Sequence, residues 1–281
     1  ADGHELEEFK KLESRLRNNC NECSEKTKAT LDKFASTAKS MISGEYYEQK
    51  MSGKGKVTIA AAANTQYVTD ELIAVFQEET GIEVERILGS SGKLTAQIKN
   101  GAPYDIFLSA NMKYPNYLVE EEITQQQPNV YASGALVLWT MVDLDVEAGL
   151  SILKNEAVEK VAIANPKTAP YGEIAITALK EAGVYDAVED KLVFGNNIAQ
   201  VNQYVTLKTV EAGLTAKAVV LSSEMSGKGK WEEIEGVFIE QGMIILDHGL
   251  EENRENTERF YDFLLSAKAK GIFRKYGYLA W

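Results

Sequence analysis

The chain has 281 residues, with 44% hydrophobic and 26% charged side chains and a net charge of −12 from 42 acidic and 30 basic residues. That length suits two lobes rather than one small core, and the balance is that of a folded soluble protein. So acidic a surface disfavours nucleic acid and anionic lipid, and no apolar run approaches the ~20 residues needed to span a bilayer.

The chain opens Ala1-Asp2-Gly3, which reads either as the end left by cleavage at a small-residue site or as an expression scar. Residues 4–50 are rich in Glu, Lys, Ser and Asn. Leu6, Phe9, Leu12 and Leu16 keep helical spacing, as do Leu31, Phe34, Ala38, Met41 and Ile42. The turn-like Asn18–Ser24 stretch separates them, so residues 1–50 are expected to form a helical hairpin, either an appendage of the body or a segment fused to it. Cys20 and Cys23, the two cysteines of the chain, lie in that turn. Zinc would need four ligands and no second pair exists, so a turn disulfide or two free thiols is expected. Residues 51–56, Met-Ser-Gly-Lys-Gly-Lys, read as a linker, and the same six residues recur at 225–230.

From Lys56 onward the pattern alternates. Val57–Ala62 reads as a buried strand and Thr69–Glu79 as a helix stopped by Gly81. Ile82–Leu88 is a second strand, Lys93–Asn100 a helix and Asp105–Ser109 a third strand. Strands are expected again at Gly134–Met141, Val161–Ala164, Leu192–Phe194, Ala216–Ser222 and Gly236–Ile245. Helices are expected after Gly172 as far as Gly183, at Ile198–Ala212 and, as one long closing element, at Asn256–Tyr276. This alternation predicts an α/β fold with parallel strands and helices on the sheet faces.

Four strand-to-helix turns carry small or polar residues: Ala63-Asn64-Thr65, Gly89-Ser90-Ser91-Gly92, Pro170-Tyr171-Gly172 and Asn196-Asn197-Ile198. The first turn of a helix leaves N–H groups unpaired, and the aligned peptide dipoles add partial positive charge there. An anion can sit at such a site without Lys or Arg. Taken singly, each turn is most simply an N-cap worth ~1 kcal/mol; together they point to an anion only where they converge. In open α/β sheets such turns gather at the carboxyl ends of the strands. Lys93 reads as a solvated helix residue and Asp105 as a structural carboxylate.

Several stretches resemble the periplasmic molybdate-binding protein family of ABC importers, over about residues 56–281. They are Val57–Asn64, Gly89-Ser-Ser-Gly-Lys-Leu94, Asn100-Gly-Ala-Pro-Tyr-Asp-Ile-Phe-Leu-Ser-Ala110, Phe260–Leu264 and Gly271–Gly277. The resemblance implies a two-lobe solute-binding fold of type II, with lobe I at 57–131 plus 241–281 and lobe II at 132–240. It implies a binding protein, not an enzyme, with molybdate or tungstate as ligand, no cofactor and no free metal cation. The partner implied is an ABC transporter permease. The expected form is a monomer in the periplasm or anchored at the cell surface.

Carried over by position, Asn64 and Ser91 supply side-chain and backbone donors, Tyr171 and Ile198 supply backbone N–H groups, and Ala63 flanks the first loop. Many members place a Tyr hydroxyl where this chain has Leu221, which leaves the fifth contact to be found; Ser222 is the candidate. Two other readings stand beside this one. A sensor would act through the N-terminal helices. A phosphate-ester hydrolase would use the same cradle, although the chain has no Gly-x-Ser-x-Gly turn, no Walker-type loop and two histidines in all, His4 and His248.

Overall fold

The computed structural model describes residues 28–29 and 55–280. The chain divides into two compact units, Ala1–Lys54 and Gly55–Trp281, of which the second is the body of the protein. The expected hairpin, the Cys20/Cys23 pair and residues 51–54 of the linker lie outside the described residues.

The body is built on one eight-stranded mixed sheet. Strand β1 (Val57–Ala62) is flanked by β2 (Val84–Gly89) and β3 (Ile106–Leu108), both parallel to it. Helix α1 (Gln66–Thr80) follows β1 after a single 3-10 turn, Ala63–Thr65. It ends at Gly81, whose φ of 70° places it in the left-handed region that only glycine adopts cheaply. Helix α2 (Ser91–Lys99) follows β2 and α3 (Lys113–Glu120) follows β3. Because successive strand residues point to opposite faces, Ile59 and Ala61 pack toward Val68, Leu72 and Phe76 of α1. Ala60 and Phe107 pack toward Leu94 and Ile98 of α2 and Leu118 of α3 on the other face.

The second half repeats the plan. Strand β5 (Val161–Ala164) leads to α4 (Pro170–Glu181), the short α5 (Tyr185–Val188) and β6 (Leu192–Gly195). Helix α6 (Ile198–Thr206) and β7 (Ala212–Ala216) follow. Strands β6 and β7 run parallel to β5 on either side. All of β5 is buried, against Ala175, Ala178 and Leu179 of α4 and Val201 and Val205 of α6.

Two long strands join the halves: β4 (Asn129–Thr140) and β8 (Lys230–Ile245), paired antiparallel. The full order is β2-β1-β3-β8-β4-β7-β5-β6. The β4–β8 register shifts between Val130 and Ala132 and again between Ala135 and Val137, irregularities of the kind that bend a strand pair. Helices α8 (Asp247–Glu252), α9 (Arg254–Leu265) and α10 (Ala267–Lys275) close the chain; α9 and α10 pack on the α1 face of the first half.

The α/β expectation holds, with three local corrections. The strand expected at Ala216–Ser222 lies earlier, at Ala212–Ala216, and a helical turn α7 (Lys217–Val220) follows it. Buried Val219 and Val220, which read as strand residues, sit on that turn instead. Gly213 of β7 is needed because a Cβ there would lie 2.5 Å from Val205 Cγ2 of α6. Helix α6 stops at Thr206, short of Ala212, and Lys208 takes a φ of 55° just beyond it. The closing helix is two helices. Ser266 turns extended (φ −67°, ψ 157°) and its side chain accepts from the Ala269 N–H, capping α10.

Candidate functional site

A cavity lies where the carboxyl ends of the parallel strands of both halves face each other. Ala62, Ala63 and Asn64 line it from the turn after β1, and Gly89, Ser90 and Ser91 from the turn after β2. Ala169, Pro170 and Tyr171 open α4, Asn197 and Ile198 open α6, and Ala110 completes the wall. Three helix N-termini and the 3-10 turn leading into α1 therefore meet at one point. The cavity is small, with a volume of about 10 Å³, room for about one water-sized sphere and far below the ~300–1,000 Å³ typical of drug-sized ligands. No charged side chain is among the lining residues.

Each loop delivers its donors differently. Ser91 is the first residue of α2 and fully buried. Its Oγ accepts from the Ala110 N–H at 3.0 Å, which leaves its own hydrogen to donate. Tyr171 and Ile198 lie in the first turns of α4 and α6, where backbone N–H groups have no intrahelical acceptor. Asn197 is a plain N-cap: its Oδ1 accepts from the Gln200 N–H at 3.1 Å, so its side chain serves the helix while Ile198 keeps its free N–H.

Asn64 departs from expectation. Its side-chain Nδ2 donates to Gln241 Oε1 at 2.9 Å and to the Tyr278 hydroxyl at 3.3 Å, so both hydrogens are used inside the protein. What Asn64 retains for the cavity is its backbone N–H. Gln241, on β8, also accepts from the Tyr131 hydroxyl at 2.8 Å and donates through Nε2 to the Tyr171 hydroxyl at 3.2 Å. This buried network ties the first loop, the two joining strands and α4 together. Gly134 of β4 makes room for it, since a Cβ there would come within 2.3 Å of both Gln241 Nε2 and Tyr171 Oη. Burial pushes the phenols of Tyr131, Tyr171 and Tyr278 well above their ordinary value, so they remain neutral donors and acceptors.

Ala63, Asn64, Ser91, Tyr171 and Ile198 are thus brought together, and Ser222 is not. Its Oγ donates to the Val219 carbonyl at 2.7 Å and accepts from the Met225 N–H at 3.2 Å, closing the turn after α7 away from the cavity. Lys93 stays outside as well, with Nζ donating to Asn196 Oδ1 at 3.0 Å. Asp105 is buried and distant from the lining. One oxygen accepts from the Thr58 N–H at 2.7 Å and the other lies 2.8 Å from His248 Nδ1, which is the structural role its position suggested.

The two sides also touch next to the lining residues. The Gly92 N–H donates to the Thr168 carbonyl at 2.8 Å, and Lys113 pairs with Glu173 at 3.5 Å. Sequence reasoning missed Gln241, Tyr131 and Tyr278; a glutamine between the apolar stretches Val237–Ile239 and Met243–Ile245 was the available signal for the first. It also passed over Ser90, which lines the cavity beside Ser91. Among the described residues no group of His, Cys, Asp or Glu is arranged to hold a metal ion, and no helix is long and apolar enough to cross a membrane.

A sheet in two halves joined by long crossing strands, with one small donor-lined cavity between the strand ends, defines a protein that holds a small solute. A family model described as bacterial extracellular solute-binding protein matches residues 57–279, and the chain belongs to that family. It is 36% identical to the molybdate-binding protein ModA of Rhodobacter capsulatus over 228 residues, covering 80% of this chain and 88% of that protein. It is 34% identical to ModA of Azotobacter vinelandii over 227 residues, covering 79% and 89%. The solved periplasmic molybdate-binding protein of Azotobacter vinelandii superposes with a TM-score of 0.74 at 27% identity, covering 80% of this chain and 99% of that one.

Proposed function

We propose that the protein captures molybdate or tungstate in this cavity and delivers it to the permease of an ABC transporter outside the cytoplasm. The observation that carries the reading is the lining itself: helix N-termini from both halves converge on a small space with no charged side chain. Fully deprotonated tetrahedral oxyanions only accept hydrogen bonds. First-turn N–H groups and the Ser91 hydroxyl are the complementary donors. A protonated anion would bring an O–H in need of an acceptor, and a smaller ion such as sulfate would leave its oxygens short of donors placed for molybdate. The names of the relatives agree with molybdate.

In this reading lobe I comprises residues 57–131 and 241–281, lobe II comprises 132–240, and the β4–β8 pair is the hinge. The register shift at Val130/Ala132 falls at the first boundary. A ligand bridging the N-termini of α2, α4 and α6 favours the closed form, which the permease recognises. The ligand undergoes no reaction: the lining residues offer serine hydroxyls but no His, Asp, Glu or Lys to activate them.

Calorimetric titration with molybdate, tungstate, sulfate and phosphate tests the reading. Tight binding of the first two, with sulfate and phosphate far weaker, is the expected result. No heat from any of the four, under conditions where the protein melts cooperatively, would overturn it.

A further inference from the structure

The loss of the Tyr hydroxyl at Leu221 leaves the cavity one donor short of the pattern the resemblance implied, and Ser222 does not replace it. One side chain in the cavity wall is itself unaccounted for. Ser90 lines the cavity, is 3% exposed, and its Oγ has no hydrogen-bond partner among the described residues. It occupies the N-cap position of α2, with φ −75° and ψ 147°, yet makes no side-chain cap bond. Its backbone carbonyl accepts the Leu94 N–H at 3.0 Å, so the backbone, not the hydroxyl, serves the helix end. Buried hydroxyls without partners are rare and costly. This one stands beside Ser91, whose hydrogen is also free, in a wall whose other polar side chains, Asn64, Asn197 and Tyr171, are hydrogen-bonded within the protein.

We propose that Ser90 is a ligand-contacting residue: its hydroxyl donates to the bound oxyanion and supplies the contact that Leu221 cannot. The proposal rests on the reading of the cavity as an oxyanion site. It makes the Gly89–Ser91 turn a double-hydroxyl clamp and moves the missing donor from the second half of the molecule to the first. It also explains why a buried hydroxyl is retained where the helix does not use it. With two adjacent hydroxyls aimed at neighbouring oxygens, the turn measures the spacing between those oxygens. That spacing is where ions of different size differ.

The test is molybdate titration of the parent protein, Ser90→Ala and Ser90→Gly, together with thermal melts of each without ligand. A hydrogen bond to a charged acceptor corresponds to a rise in Kd of roughly tenfold to a hundredfold. Both variants are expected to show it, and to melt at or above the parent's temperature without ligand because no cap bond is lost. Agreement between them separates the hydroxyl from helix capping, since glycine is tolerated at an N-cap where alanine is not. Parental affinity in both variants overturns the proposal. So does a lowered melting temperature with unchanged Kd, which would assign Ser90 to the helix end. A parent that binds no molybdate overturns the reading of the cavity, and Ser90's role falls with it.

Discussion

Gly172 gives the sharpest check on how α4 places its donor, because two rules predict opposite outcomes for Gly172→Ala. Gly172 is the third residue of a twelve-residue helix and its φ lies outside the left-handed region. Helix propensity alone therefore predicts a gain of about 1 kcal/mol. The surroundings predict a loss. A Cβ at Gly172 would lie 2.1 Å from the Ala164 carbonyl oxygen, 2.7 Å from the Ala164 carbonyl carbon and 2.8 Å from the Pro166 nitrogen. All three are backbone atoms at the end of β5, so no side chain can swing aside. Restoring van der Waals distance requires the start of α4 to recede by about 1 Å. Overpacking of this kind costs about 1–3 kcal/mol, which after the propensity gain leaves a net loss of up to about 2 kcal/mol. The same displacement carries the Tyr171 N–H away from the cavity. Losing one hydrogen bond to a charged acceptor, about 1.5–3 kcal/mol, weakens molybdate binding roughly tenfold to a hundredfold. Thermal melts and calorimetry read both effects. Gly271→Ala in α10 is the control: nothing lies within 4 Å of its Cβ, so it should stabilise by about 0.5–1 kcal/mol and leave binding alone. A Gly172→Ala protein that melts higher than the parent and binds equally well would refute the positional argument.

Ser91→Ala removes both a ligand donor and the acceptor of the Ala110 N–H. It should lose about 1–3 kcal/mol in urea titrations without ligand, for the orphaned buried N–H, and separately show a rise in Kd for molybdate of roughly tenfold or more. Tyr276 sets a pH dependence. Its hydroxyl donates to Glu71 Oε2 at 2.9 Å, and burial, reinforced by that carboxylate, pushes its pKa up to about 12. A phenol whose folded pKa is raised contributes stability that is complete below its ordinary value of about 10 and is lost as pH climbs through about 12. The stability of Tyr276→Phe, followed by urea midpoints, should therefore fall less steeply than the parent's across that interval. A parallel decline in both proteins would count against the assigned shift.

The α/β class, the carboxyl ends of β1, β2, β5 and β6 and the turns that meet at the cavity were legible because each rests on local signals. Apolar runs too short for helices, Gly81 as a stop and small or polar residues before each amphipathic stretch were enough. Side-chain partnerships across the sheet were not legible. Asn64 reads from sequence as a donor for a ligand, and only the approach of Gln241 and Tyr278, 177 and 214 residues downstream, shows that its amide is already engaged. Ser222 fails for the opposite reason: its hydroxyl is consumed within three residues of itself, by a turn whose apolar residues read as a strand. Ser90 and Ser91 are chemically identical neighbours. What separates them is that Ala110 reaches one and nothing among the described residues reaches the other.

The charge of the chain leads to a test of the mechanism as a whole. With a net charge of −12 and no charged residue lining the cavity, the protein repels a dianion at long range and attracts it only at contact. Two lysines close in sequence to lining residues are engaged elsewhere, Lys93 with Asn196 and Lys113 with Glu173. The attraction comes from helix N-termini and hydroxyls a few ångströms from the ion, a distance shorter than the screening length at moderate salt. A site built from Lys or Arg shows the reverse pattern, with long-range steering that salt removes. Raising ionic strength from about 10 mM to about 1 M shortens the screening length from ~30 Å to ~3 Å. It should therefore relieve the long-range repulsion while leaving the contacts in place. The association rate for molybdate, followed by stopped-flow fluorescence, should rise or stay level with salt, and the dissociation rate should change little. An association rate that falls steeply with salt would mean that basic side chains draw the ion in, and that the convergent helix ends do not account for its capture.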